Sequence, residues 1–197
     1  MELELKRGGR TARVETLGGE LVSYRDERGL EYIWGGDPAY WPGRNPLLFP
    51  IVGMLKEGKI RFDGREYAME RHGFARRREF TPAARGEDWV RLELRESAET
   101  LALYPYPFRL AVEQRLTDTG FSTAVTVANP GEGPLPFCLG AHTGFRCPLE
   151  AGERFEDYEL VFPERESCPT LLLRDGLLDR PAALPCLEDT DTLPLDY

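Results

Sequence analysis

Positive charge is in short supply. The 197-residue chain carries 25 Lys and Arg against 34 Asp and Glu, a formal net charge of −9. A nucleic-acid partner needs a basic face to neutralise phosphates, so this balance argues against one. It argues equally against docking on an anionic membrane surface. No apolar run approaches the roughly 20 residues that cross a bilayer as a helix. Met1-Glu2-Leu3-Glu4-Leu5-Lys6 alternates like a strand and lacks a basic-then-apolar leader, so a cytoplasmic protein is expected.

Metal ligands are scarce as well. Cys138, Cys147, Cys168 and Cys186 form no Cys-x-x-Cys pair, and there are two histidines in all. The ligand spacing of structural zinc is missing, so no metal and no cofactor is expected. The thiols read as reduced, partly buried fillers. Cys147 follows His142 closely, yet nothing in the sequence makes the two converge as nucleophile and base. Helical periodicity is lacking too. No apolar pattern of period 3.6 runs beyond a couple of turns.

What remains reads as strand. The length suits one domain over residues 1–197, and 41% hydrophobic with 30% charged residues is ordinary for a globular chain. Short alternating runs occupy 2–6, 13–17, 20–25 and 30–34, separated by Gly18-Gly19 and Asp26–Gly29. The clearest hairpin is 59–62 and 65–69 around Asp63-Gly64, a tight two-residue turn. Further strands are expected at 89–95, 100–104, 108–117, 121–129, 135–139 and 155–162. A looser hairpin is expected around Asp175-Gly176, ending near Leu187. This meander predicts an all-β sandwich. Gly35–Pro50 breaks the pattern. Trp34, Tyr40, Trp41 and Phe49 alternate there with Gly and Pro, which suits a loop with aromatic anchors. Such a loop is either a packed surface segment or a platform on which a sugar ring stacks its C–H face.

The two histidines are the scarce chemistry. His72 lies in Arg71-His72-Gly73-Phe74-Ala75-Arg76 and His142 in Gly140-Ala141-His142-Thr143-Gly144-Phe145. Both sit beside Gly, near a Phe, at the end of a predicted strand. Imidazole is the side chain whose unperturbed titration falls near neutral pH. A lone histidine in such a setting is commonly a satisfied structural residue. Two in matching settings point to one shared site.

These motifs, with Gly35–Trp41, the run Asn45-Pro46-Leu47-Leu48-Phe49-Pro50-Ile51-Val52-Gly53, and Phe155–Leu160, resemble the aldose 1-epimerase (galactose mutarotase) family in its bacterial branch. The resemblance runs from about Glu20 to Phe162. It implies a large β-sandwich, or supersandwich, that binds a small sugar and interconverts its α and β anomers. It implies His142 as general acid at the ring oxygen and His72 as the group that hydrogen-bonds and orients the sugar. Asn45, Phe74 and Arg76 are further candidate sugar contacts. Lys56 is the cation nearest to the place where the family carries an Arg, and it supplies a point charge rather than a planar fork.

Three departures stand out. Met54 follows Gly53 where the family commonly has that Arg. Thr143 follows His142 where Pro is usual, a change expected to affect loop stiffness more than chemistry. The resemblance also implies a C-terminal Glu as base, and Leu193–Tyr197 resembles the lead-in to its acidic stretch. A sandwich lacking its C-terminal part is therefore expected, or a second chain or homo-oligomer completing the sheet. Two alternatives accompany the isomerase reading. Arg76-Arg77-Arg78 suits phosphate, and so a hexose-6-phosphate 1-epimerase. A missing base suits a non-catalytic carbohydrate-binding protein.

Overall fold

The computed structural model describes residues 1–196, with the side chains of 180–182 and 185 outside the description, so Tyr197 of the acidic lead-in falls outside the described residues. The chain divides into two compact units, Met1–Arg146 and Cys147–Tyr197. In the first, β1 (Glu2–Arg7), β2 (Arg10–Glu15) and β3 (Glu20–Arg25) form an antiparallel meander. The two-residue β4 (Leu47–Leu48) follows, then the hairpin of β5 (Lys59–Phe62) and β6 (Arg65–Ala68). Next come β7 (Thr81–Arg85), β8 (Trp89–Arg95), the short helix α1 (Ala98–Leu103), β9 (Arg109–Leu116), β10 (Phe121–Ala128) and β11 (Gly140–Ala141). Four of these make a sheet in the order β10-β9-β8-β7. In the second unit, β12 (Glu159–Arg174) and β13 (Leu177–Pro194) form one long hairpin with several register shifts. No described helix is long and apolar enough to cross a membrane.

The core of the first unit follows from period-2 patterning. Leu3 and Leu5 of β1, Ala12 and Val14 of β2, and Leu21 of β3 bury their side chains in one cluster with Val90, Leu92 and Leu94 of β8 and Leu110, Val112 and Leu116 of β9. Alternation puts one residue in two on that face, and the meander closes on the four-stranded sheet as a sandwich. Gln114 is also buried there, and both ends of its amide are used. Its Nε2 donates to the Gly19 carbonyl at 2.9 Å and its Oε1 accepts from Thr123 at 2.6 Å. The hairpin turn carries φ of 49° at Asp63 and 80° at Gly64, the left-handed pair a tight Asp-Gly turn requires.

Three local expectations are corrected. Residues 100–104 are not a strand. Ser97 Oγ accepts from the Thr100 amide at 3.2 Å while Thr100 Oγ1 accepts from the Ser97 amide at 2.8 Å, a reciprocal cap that starts α1. Phe155–Asp157 is a 3-10 turn, and the strand begins at Glu159. The run Thr81–Arg85, outside every strand expected above, is an exposed edge strand, a position that tolerates Pro82.

One irregular segment organises the site. Residues 44–53 run as an irregular rail, regular only at Leu47–Leu48, with partners on both edges. On one edge, Gly140 pairs with Leu48 and Ala141 with Leu47. The same register continues outward: the His142 amide donates to Pro46 O at 3.1 Å, Gly144 to Arg44 O at 2.6 Å, and Cys138 to Pro50 O at 2.9 Å. On the other edge, Phe49 bridges Gly73 in parallel, and its carbonyl accepts from Phe74 at 3.0 Å and Ala75 at 3.2 Å. Phe49 is fully buried and anchors the rail among Phe74, Tyr104, Phe108 and Phe137, with ring centroids 5.2 to 6.2 Å away.

The close approach of the rail to residue 73 requires glycine. Gly73 has φ +70°, and a Cβ there would lie 2.2 Å from the Phe49 carbonyl oxygen. Gly73→Ala is therefore expected to cost about 2 kcal/mol or more in chemical denaturation, since it combines a left-handed backbone with a backbone clash. A variant as stable as the parent would show that this edge of the rail is not held as described.

Candidate functional site

His72 and His142 reach one place because they flank the same rail from opposite edges. Their ring centroids are 6.3 Å apart. His72 is the third residue of a turn in which the Gly73 amide donates to Glu70 O at 2.9 Å, and its φ of +68° is the left-handed value that type II turns ask of this position. A non-glycine residue held there is strained by roughly 1–3 kcal/mol. Two bonds to one rail residue hold it in place. The His72 amide donates to Gly53 O at 2.8 Å, and the Gly53 amide donates to His72 Nδ1 at 3.0 Å.

That second bond decides the tautomer. An Nδ1 that accepts carries no proton, so in the neutral ring the proton sits on Nε2 and is free to donate. The ring is also kept neutral. Partial burial, then the Arg76 guanidinium, His142 and Arg71, all lower its pKa from the ordinary 6.5. His72 is thus built as a hydrogen-bond donor at neutral pH.

His142 differs. It is exposed, and Trp41 lies against it with ring centroids 4.8 Å apart at 43°. Glycines let the indole lie there. A Cβ on Gly43 would fall 2.6 Å from the Trp41 ring, and one on Gly144 would fall 2.8 Å from it. The Trp34 indole N–H donates to the Trp41 carbonyl at 2.8 Å, fixing the loop that carries it. Of the aromatic loop, Trp41 meets His142, Phe49 is core, and Tyr40 is 83% exposed against Trp34.

The other candidates sort differently. Phe74 is 5% exposed and packs on Phe49, Tyr104 and Phe108, so its expected sugar contact is corrected to a core role. Asn45 is buried and bonds Thr143 rather than either histidine. Its Oδ1 accepts from Thr143 Oγ1 at 2.6 Å, and both residues line an apolar cavity of about 270 Å³ with Tyr24, Tyr32, Phe121 and Phe145. Thr143 therefore has a bonding role, which corrects its reading as a matter of stiffness. Lys56 is exposed on a 3-10 turn beyond Gly53. Arg76 braces the turn before it through Nη2 to Arg71 O at 2.9 Å, and its Nε is buried without a partner. Arg77 pairs with Glu70 at 2.6 Å and Arg78 with Glu99 at 2.5 Å, so the arginine triplet is largely neutralised from within. Among the described residues no group of three or more His, Cys, Asp or Glu is arranged to hold a metal ion.

The strand-rich fold matches solved galactose mutarotase-like structures. A galactose mutarotase related enzyme from Lactobacillus acidophilus superimposes with a TM-score of 0.91 at 26% identity, over 100% of this chain and 65% of that one. A galactose mutarotase-like protein from Lactobacillus casei gives 0.86 at 31% identity, over 99% and 67%. Protein LacX encoded on a plasmid of Lactococcus lactis is 41% identical over 205 residues, covering all of this chain and 69% of the relative. The aldose 1-epimerase family model matches residues 1–176, and the chain belongs to that family. It spans about two thirds of the length of these relatives.

The neutral His72 makes a pH prediction. Below pH 6.5 the unfolded chain binds a proton that the folded ring resists, so stability falls as pH drops from 6.5 toward the lowered value. Protonating Nδ1 also removes the acceptor of the Gly53 amide. The Gly53 N–H resonance is expected to shift with a midpoint below 6.5, and this titration is absent in His72→Asn. A midpoint above 6.5 contradicts the assignment.

Proposed function

We propose that the His72–His142 pair binds the reacting end of a free aldose and serves α/β anomer interconversion. The carrying observation is the pair itself: two imidazoles 6.3 Å apart, one held in a strained turn with its tautomer set by Gly53. Strain retained at one residue and offset by dedicated bonds is a mark of a functional position. Family membership supports an isomerase acting on carbohydrate.

In this reading the C1–ring-oxygen bond breaks as the ring oxygen takes a proton from His142 and the anomeric hydroxyl gives one up to solvent water, leaving an open-chain aldehyde. Rotation about C1–C2 and reclosure return both protons and invert the anomer. His142, exposed and next to Trp41, carries the proton to and from the ring oxygen. His72 Nε2–H donates to a neighbouring sugar oxygen and holds the ring in register. Trp41 offers an apolar face to the sugar C–H groups. No side chain is assigned as base. The hexose-6-phosphate alternative loses part of its motive, because Arg77 and Arg78 are already paired.

Two measurements test this. Calorimetry with galactose and glucose is expected to show binding that His72→Asn weakens at least several-fold. Polarimetry of freshly dissolved α-galactose is expected to show faster mutarotation with protein, reduced about 100-fold or more by His142→Ala. Binding without acceleration selects the carbohydrate-binding alternative. No binding of either sugar overturns the reading.

A further inference from the structure

Glu20 stands outside every motif considered above, at the first position of β3. One of its oxygens, Oε1, accepts two successive backbone amides, Arg44 at 2.9 Å and Asn45 at 2.6 Å. A carboxylate holding two N–H groups makes charge-assisted bonds, stronger than neutral ones. Those amides open the rail, and what they carry is the His142 motif. Arg44 O accepts from the Gly144 amide, Asn45 Oδ1 from Thr143, and Pro46 O from the His142 amide. The base of Glu20 is itself fixed. The preceding Gly19 gives its carbonyl to buried Gln114, and a Cβ on Gly19 would be in contact with Phe80 and Val112. Beside the anchor at Phe49, the start of the rail is thus tied to the sandwich core by one carboxylate.

We propose that Glu20 is a positioning residue for His142, tying the start of the rail to the core so that the imidazole stays against Trp41. Only the kinetic arm of its test rests on the sugar-isomerase reading. Glu20→Gln keeps a carbonyl oxygen where Oε1 stands. Glu20→Ala removes the acceptor, and Glu20→Asp keeps the charge but withdraws it by one methylene.

The readout independent of activity is the ring-current shift of the His142 side-chain protons caused by Trp41. With two histidines in the chain, His142→Ala assigns the signal and Trp41→Phe sets its zero. Glu20→Gln is expected to keep most of the shift, and Glu20→Ala and Glu20→Asp to lose half or more. If the wild type accelerates mutarotation, Glu20→Ala lowers kcat roughly tenfold or more, with Glu20→Gln within a few-fold of wild type. Should Glu20→Ala fail to fold, Glu20→Asp decides in its place. A full ring-current shift in the folded Ala or Asp variant overturns the proposal. A wild type without mutarotase activity overturns the isomerase reading alone and leaves the spectroscopic arm to judge Glu20.

Discussion

The site depends on a set of backbone hydrogen bonds along residues 44–53. That segment is too rich in proline to be an ordinary central strand, and only Leu47–Leu48 is regular. It still pairs on both edges, because its carbonyls point outward whether or not its nitrogens carry protons. Pro46 O and Pro50 O both accept from the 138–144 segment. Proline removes a donor and never an acceptor. A rail that mostly accepts can therefore be rigid, through fixed φ at Pro46 and Pro50, and still be fully engaged. Two segments far apart in sequence are thereby set a fixed distance from each other.

The two imidazoles use this rail in different ways. His142 is carried by ladder bonds made by its main chain, which leaves its side chain uncommitted. His72 spends its side-chain acceptor on Gly53 and keeps one donor. One ring is locked and neutral, and the other is exposed with its side chain free of backbone bonds. An orienting group must not change its protonation as the reaction proceeds, whereas a proton carrier must. The division of roles in the proposed function follows from that asymmetry.

The sequence made the class of fold legible because alternation and turn chemistry are local. The Asp63-Gly64 hairpin and β1, β3, β8, β9 and β10 lie close to where the pattern places them. Helix α1 was missed because its cap is a reciprocal Ser97–Thr100 arrangement with Thr rather than Glu at the third position, next to β-favouring residues. The histidine pair was legible as scarcity plus repeated context. Phe74 was misplaced because motif adjacency to His72 says nothing about facing, and in an irregular turn neighbouring side chains diverge. The bond of Asn45 to Thr143 joins residues 98 apart in sequence, a pairing that no local pattern shows. Glu20 left no signal, since its bonds go to main-chain amides that any residue supplies.

Charge around the site completes the argument. In a chain of net −9, the arginines around His72 could have made the surroundings strongly cationic. The pairs with Glu70 and Glu99 offset Arg77 and Arg78, while Arg76 keeps its charge and bonds a carbonyl. The Trp41 indole lies against His142, and the His72 ring stands 6.3 Å from that imidazole. Burial first, then Arg76, His142 and Arg71, hold the His72 pKa below its ordinary value, so the cations near the ring favour its neutral form.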